Sequence, residues 1–160
     1  MIIGIALCII LFFVMHFSQS VNKIQLTKNP NDRESIIKYF NSCNDSNSYL
    51  NAAKYGEMYL NSHPQDYEIL ALTSRGYLEA GDVSNLKKIL DDKIPKLEII
   101  FNNPELLADQ IKKGKLFRYH SMQLFYNYSD ILKGINETTK SEHYENIAIQ
   151  IENNMNNNIK

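Results

Sequence analysis

The stretch HPQDYEILALTSRGYLEAGDVSNLKKILDDKIP, from His63 to Pro95, decides the fold. It contains two runs of apolar residues at helical spacing, separated by Gly81 and Asp82, with a proline near each end. Glycine tolerates the left-handed backbone that ends many helices, and aspartate is a favoured cap for the helix that follows. Proline pushes the residue before it out of helical space. The stretch therefore predicts two helices joined by a turn.

The rest of the chain predicts further helices on the same grounds. Glycine and proline number only 6 and 4 in 160 residues and punctuate the apolar segments, which favours an all-α domain. The predicted helices are Asp32 to about Ser42, Ser48 to just before His63, Asp66 to Gly81, Val83 to Ile94, Pro104 to Lys113, Leu116 to about Leu132 and Thr138 to about Asn153. The fifth and sixth are predicted to form a third hairpin.

The spacing of the landmarks suggests a repeat. Pro30 and Pro64 lie 34 positions apart, and so do the turns at Asn47 and Gly81. The chain resembles the tetratricopeptide repeat, a helix–turn–helix unit of about 34 residues. The matching positions are Leu70, Ser74, Tyr77, Leu86 and Leu90 in residues 67–100, and Ile36, Cys43, Ala52, Gly56, Tyr59 and Leu60 in residues 33–66. The resemblance implies stacked antiparallel helical hairpins.

Three residues depart from the family pattern. Phe40 stands where the repeat has a small residue, and Leu86 stands where it usually has alanine. Both changes predict wider helix crossings than the family norm. Pro95 falls inside what should be the end of the second unit, so we expect the fourth helix to stop there.

The resemblance also implies where a client binds. In such repeats the first helices of successive units line a concave face, and the positions not used for packing meet the client. The resemblance places on this face Glu34, Ile37, Asn41 and Asn44 from the first unit, and Glu68, Ala71, Arg75 and Glu79 from the second. Arg75 can hold a carboxylate with two hydrogen bonds, oriented by Glu68 or Glu79. The alternative is an ordinary solvated helix face.

The N-terminal residues 1–20 predict a membrane anchor, with an alternative. Residues 2–17 carry no formal charge and as a helix would span roughly 24 Å of a bilayer core about 30 Å thick. Lys23, Lys28 and Arg33 follow, which favours a single-pass anchor with a cytoplasmic domain. The alternative is a signal peptide cleaved after Ser20, which would release a secreted or periplasmic protein.

The remaining boundaries follow from composition. Residues 21–31 are polar and end near Pro30, which predicts a short tether without a long helix. Residues 32–153 are predicted to form the helical domain. Residues 154–160, rich in asparagine, offer little to bury and predict a frayed tail.

Composition excludes several functions. Lys+Arg total 17 and Asp+Glu total 18, interspersed, so the chain lacks the basic field that holds nucleic acid. The four histidines, at 16, 63, 120 and 143, form no pair at helical spacing that would bind a metal. Cys43 lies away from any activating histidine, which argues against nucleophilic catalysis. We therefore expect no enzyme activity, no metal and no cofactor.

One aromatic segment permits two interpretations. Phe117, Tyr119, Phe125, Tyr126 and Tyr128 can fill a core or line an exposed groove, and such rings on one helix more often fill a core. Taken together, these features predict a membrane-tethered interaction module with a protein or peptide client, such as an adaptor or assembly factor. The alternatives are a released binding protein and a toxin-neutralising protein.

Overall fold

The computed structural model describes residue 14, residues 20–114 and residues 116–157. Residues 20–28 are helical, and no strand occurs within the described residues. The all-α prediction is therefore confirmed. The later helices are α1 (Arg33–Ser42), α2 (Ser46–Ser62), α3 (Tyr67–Glu79), α4 (Val83–Phe101), α5 (Pro104–Lys113), α6 (Phe117–Gly134) and α7 (Thr138–Asn157).

Side-chain caps fix the starts of several helices. Asp66 caps α3 by accepting a hydrogen bond from the Ile69 backbone N–H at 3.2 Å, as the sequence predicts. Helix α2 begins earlier than predicted, because Asp45 is its cap and Ser48 completes a reciprocal capping box. The caps of the next two helices are Asp82 for α4 and Asn103 for α5.

Helix α3 ends at the predicted glycine turn. Gly81 has a φ of 73°, in the left-handed region where a Cβ is strained. The backbone N–H of Asp82 donates back to the Tyr77 carbonyl at 2.9 Å, the hydrogen bond that closes a glycine-terminated helix. This turn leads directly into Asp82, the N-cap of α4.

The prediction that the fourth helix stops at Pro95 is wrong, because α4 continues to Phe101. Pro95 lies on the exposed side of the helix, where water can bind the Asp91 carbonyl that proline leaves without its helical donor. Ile94 and Leu97, on the inner side, are both fully buried. The burial of these two side chains favours a continuous helix over a break.

The helices pack in a regular order. Helix α1 contacts both α2 and α3, and α2 packs closely against α3. Helix α3 in turn contacts α4 and α6, and α4 also contacts α6. The most extensive contact of all is between α6 and α7.

The third hairpin differs from the one that the sequence predicts. Helix α6 pairs with α7 and has few contacts with α5, which buries none of its residues. Ser129 of α6 and Ser141 of α7 are buried and hydrogen-bond each other's backbone carbonyls at 3.0 Å, so these two helices approach closely. Helix α5 has no fully buried residue, and only its Leu107 and Ile111 are partly buried against the core.

Two glycines accommodate the bulky Phe40. A Cβ at Gly76 would lie 2.8 Å from Cε1 of Phe40, and a Cβ at Gly56 would lie 3.5 Å from its Cε2. The ring is only 4% exposed. Helices α2 and α3 therefore pack closely around Phe40, where the two glycines leave room for its ring.

Both ends of the described chain are more ordered than the sequence predicts. Residues 20–28 form a helix where a tether over 21–31 was expected. Leu26 is fully buried there, and Asn22 Nδ2 donates to the Lys38 carbonyl at 3.3 Å, so this helix packs against α1. At the other end α7 continues to Asn157, and Met155 packs against the core. Residues 154–157 therefore belong to this helix and not to the tail expected over residues 154–160.

The predicted membrane anchor is corrected. In the part of the chain that the structure describes, no helix is long and apolar enough to cross a membrane. Neither the single-pass anchor over residues 2–17 nor the localisation drawn from it has support. Of that segment only Val14 is described, and its other residues lie outside the described ranges.

Candidate functional site

Of the eight residues predicted on the binding face, Glu34, Asn41, Glu68, Arg75 and Glu79 are exposed or partly exposed on two helices that contact each other, whereas Ala71 is buried and Asn44 lies beyond the end of α1. Glu34 and Asn41 are exposed on α1, and Arg75 and Glu79 are exposed on α3. Glu68, near the start of α3, is partly buried, with 34% of its side chain exposed. The separations of seven residues within each helix place the side chains on one face of that helix.

Arg75 is the most available cation of this face. Its side chain is 59% exposed, and its Nε lies 3.7 Å from Oε1 of Glu79, one helical turn away. Its guanidinium carbon lies 5.8 Å from the centre of the Tyr49 ring, within cation–π range. Glu79 is therefore placed to orient Arg75, as the sequence predicts, and the loose ion pair leaves the guanidinium open to a carboxylate.

Glu68 has a different partner from the one predicted. It accepts a hydrogen bond from Nη2 of Arg33, whose Nε donates to Oδ2 of Asp66 at 2.7 Å. The hydrogen bond to Asp66 is the main cause that raises the pKa of Arg33 above its ordinary value, with burial opposing it and Glu68 adding to it. Arg33 therefore stays charged and joins the start of α1 to the start of α3.

From the sequence, Arg33 is expected only as a cation flanking the leader and not as a site residue. A signal for its role was present in the spacing. Arg33 and Asp66 lie 33 positions apart, close to the 34-residue period that the sequence landmarks suggest, and a repeat of that period brings the starts of its successive first helices together. An Arg and an Asp at those two positions can therefore pair.

A pocket of about 820 Å³ lies beside this ion-pair cluster. Its volume is in the range of sites for small molecules or short peptide segments. Residues from the ends of five helices and two connections line it: Arg33, Tyr59, His63, Pro64, Gln65, Asp66, Tyr67, Glu68, Gln110, Lys113, Gly114, Leu116, Phe117 and His120. We call this space the helix-end pocket.

Aromatic side chains build one side of the helix-end pocket. Tyr59 stacks on His63 with ring centres 4.2 Å apart, and Tyr67 meets Phe117 edge to face at 5.1 Å. The Tyr59 hydroxyl also donates to Asp66 at 3.2 Å. The ion-pair cluster is therefore held in place by rings that are themselves packed.

His120 is the least satisfied polar side chain of the pocket. Both of its ring nitrogens are buried, and neither has a hydrogen-bond partner within the described part of the chain. Burial lowers the pKa of His120, although Glu68 and Asp66 act in the opposite direction. Burial thus favours the neutral ring, which has one donor and one acceptor nitrogen, and both nitrogens are inaccessible to solvent here.

The aromatic segment of α6 serves mainly as core. Phe117, Phe125 and Tyr128 are buried, with 5%, 0% and 7% exposure, whereas Tyr119 is 41% exposed. The buried rings connect to neighbouring helices, for example through the Tyr128 hydroxyl, which donates to Asp91 at 2.7 Å. The interpretation of this segment as core packing is therefore confirmed for these three rings.

Other chemistry is limited in the described residues. No group of three His, Cys, Asp or Glu side chains there is placed to hold a metal ion. Cys43 is buried, and burial raises the pKa of its thiol to about 11. At neutral pH such a thiol is protonated and is a poor nucleophile.

Comparison of the chain with protein-family models, curated proteins and solved structures finds no match. The two candidate surfaces are thus defined by geometry alone. The first is the exposed face of α1 and α3 around Arg75, and the second is the helix-end pocket around His120. Glu68 lies where the two meet.

Proposed function

We propose that this chain is a protein–protein interaction module of the tetratricopeptide-like type, which binds a peptide segment of a client along the exposed face of α1 and α3. The order of helix contacts is the observation that carries the proposal. Helix α1 contacts α3, and α3 contacts α6, while α2 contacts both α1 and α3 and α4 contacts both α3 and α6. A series of first helices packed side by side is the arrangement that such repeats use for binding.

Two further features support the proposal. The pair α6–α7 supplies a third hairpin, and about three such units are needed for a stable stack. Helix α5 then counts as an insertion in a loop, and insertions in repeats map to loops at the edge of the stack. The helix over residues 20–28 covers α1 on its outer side, as a capping element would.

The surface chemistry indicates what kind of segment would bind. Arg75 is exposed and only loosely paired, whereas Glu34 is engaged by Lys38 at 2.8 Å. Asn41 is exposed on the neighbouring helix and offers both a donor and an acceptor. A client segment with a carboxylate for Arg75 and a backbone amide for Asn41 fits this pattern.

The proposal is tested with peptides selected from a random displayed library against the folded protein. We expect Arg75→Glu and Asn41→Arg each to weaken the selected peptides at least about tenfold, which corresponds to about 1.4 kcal/mol. Helicity and melting should hardly change, since both residues are exposed. Lys88→Glu, an equal charge reversal on the exposed side of α4, is the matched control. Unchanged binding by both variants would remove this face as the client site.

A further inference from the structure

A smaller cavity, of about 130 Å³, is lined by residues of α4, α5, α6 and α7. We propose that it binds a carboxylate group, which is held by the guanidinium of Arg118. The cavity shares no lining residue with the helix-end pocket, and none with the face around Arg75. This site therefore goes beyond the proposed function, because its ligand need not belong to the client of that face.

Arg118 is the residue that makes this cavity a candidate site. The chain has three arginines. Arg33 joins two carboxylates, and Arg75 is paired with Glu79 at 3.7 Å. Arg118, in contrast, has no hydrogen bond or ion pair to another described residue. Since a guanidinium is always charged in proteins, Arg118 carries a positive charge with no counterion among the described side chains.

The guanidinium of Arg118 is within reach of a ligand. Its residue is partly buried, and its unpaired nitrogens are not sealed from solvent as the ring nitrogens of His120 are. Part of its surroundings is nevertheless apolar, since three aliphatic side chains line the same cavity. Apolar walls beside a charge lower the local dielectric constant and strengthen its attraction for an opposite charge. A carboxylate in the cavity is therefore held more firmly than on an open surface.

Two amide side chains provide further donors. Asn102, at the end of α4, and Gln150, on α7, both line the cavity and are exposed, and neither side chain hydrogen-bonds another described residue. A carboxylate has about four acceptor positions, of which a guanidinium fork takes two. The amide N–H groups of Asn102 and Gln150 can serve the others. No acidic side chain is among the described residues that line the cavity, so none in that lining repels a bound carboxylate.

The size and the apolar lining of the cavity narrow the choice of ligand. Leu107, Ile147 and Ile151 provide aliphatic surface that a short hydrocarbon chain can cover. The volume corresponds to roughly four water molecules at about 30 Å³ each, which is too small for a drug-sized molecule. A carboxylate on a short aliphatic chain fits this space. It can come from a small free acid or from a glutamate side chain of a bound peptide.

The experiment is a nuclear magnetic resonance titration of the full chain that follows the Nε–H signal of Arg118. Propionate represents a free acid, and Nα-acetyl-glutamate amide represents a peptide side chain. Propionamide and Nα-acetyl-glutamine amide are their neutral controls. We expect a saturable shift with at least one acid and none with its control, and the acid that binds more tightly identifies the source of the carboxylate. Equal shifts with an acid and its control, or no saturable shift with either acid, would overturn the proposal.

Two variants test the assigned donors, with affinity measured from the backbone N–H signals around the cavity. Arg118→Gln should weaken the bound acid at least about tenfold, because the charged fork is lost. Gln150→Ala should weaken it about threefold by removing one donor, and alanine is well tolerated in a helix. Lys133→Gln, an equal charge change on the exposed last turn of α6 and roughly 22 Å along that helix, is the matched control and should have no effect.

Unchanged affinity in a folded Arg118→Gln protein, or an equal loss of affinity in Lys133→Gln, would overturn the proposal. Melting followed by circular dichroism shows whether each variant is folded. If Arg118→Gln does not fold, Gln150→Ala decides the question, and unchanged affinity in that variant would overturn the proposal.

This outcome is separable from that of the proposed function. Neither Arg75 nor Asn41 lines the cavity, so selected peptides can depend on those residues while both acids fail to shift the Arg118 signal. In that case the interaction module stands and the carboxylate site falls. Saturable binding of an acid at Arg118, without any effect of Arg75→Glu and Asn41→Arg on selected peptides, would lead to the reverse conclusion.

Discussion

Replacing Gly56 with alanine tests the close packing of α2 against α3. A Cβ at this position would lie 2.0 Å from Oγ1 and 3.2 Å from Cβ of Thr73, which is fully buried. Overpacking of this kind costs about 1–3 kcal/mol. Alanine is favoured over glycine inside a helix by about 1 kcal/mol, which offsets part of the cost. We expect a net loss of up to about 2 kcal/mol in the free energy of unfolding.

The assay is urea denaturation followed by circular dichroism, with the midpoint compared at constant slope. Gly134→Ala is the matched control, because no atom lies within 4 Å of a Cβ there, and it should leave stability unchanged or slightly higher. Gly56→Ala should cost less in a Thr73→Ala background, which removes the nearest atom. If Gly56→Ala is as harmless as Gly134→Ala, the two helices do not approach as closely as described.

Three other outcomes follow from particular residues. Gly81→Val should lower the free energy of unfolding by more than about 1 kcal/mol, because a branched side chain is strained at a φ of 73°; an unchanged urea midpoint would contradict this turn. Hydrogen bonds from Asn85 hold the pKa of Asp82 below its ordinary value. The Asp82 carboxylate therefore stabilises the folded protein fully at a pH above its pKa in the unfolded chain, and this contribution is lost as the pH falls through its pKa in the folded protein. Below about pH 4, Asp82→Asn should therefore lose less stability per pH unit than the unchanged protein, as measured by melting at several pH values. In a Cys8→Ser background, Cys43 should react with a thiol reagent at pH 8 at least about a hundredfold more slowly in the folded protein than in urea. The reason is that burial raises the pKa of the Cys43 thiol to about 11. Similar rates in the two states would contradict the burial of Cys43.

Local signals in the sequence were sufficient for most of the helices and turns. Aspartate favours the N-cap of a helix and glycine favours the left-handed helix end, and few other local structures suit them as well. Both predicted caps, Asp66 and Asp82, and the predicted turn at Gly81 occur in the structure. Pro95 misled the prediction, because a proline on the solvent side of a helix is tolerated when its neighbours are buried. The opposing effect, burial of Ile94 and Leu97, depends on tertiary contacts that periodicity does not reveal.

The candidate site was less accessible to sequence reasoning. The resemblance to the repeat led to the prediction that Arg75 and Glu79 lie on the binding face, and their pairing follows from their spacing of one turn on a single helix. The partner of Glu68 is Arg33, 35 positions away, and His120 reaches the same pocket from a third helix. The position of His120 depends on how α6 packs against α3. The sequence predicted a hairpin of α5 and α6, whereas α6 in fact pairs with α7. The pairing of Glu68 with Arg33 and the position of His120 were therefore not predicted, because long-range packing has no local signature in a single sequence.

The central claim is that clients bind on the exposed face of α1 and α3. Its most direct test is to place a photoreactive amino acid at position 41, 75 or 88 and to illuminate each variant with a selected peptide. Positions 41 and 75 lie on the proposed face, and position 88 is exposed on α4. If clients bind on the face of α1 and α3, cross-links should form from positions 41 and 75 and not from position 88. Cross-links from position 88 alone would place the client on another face.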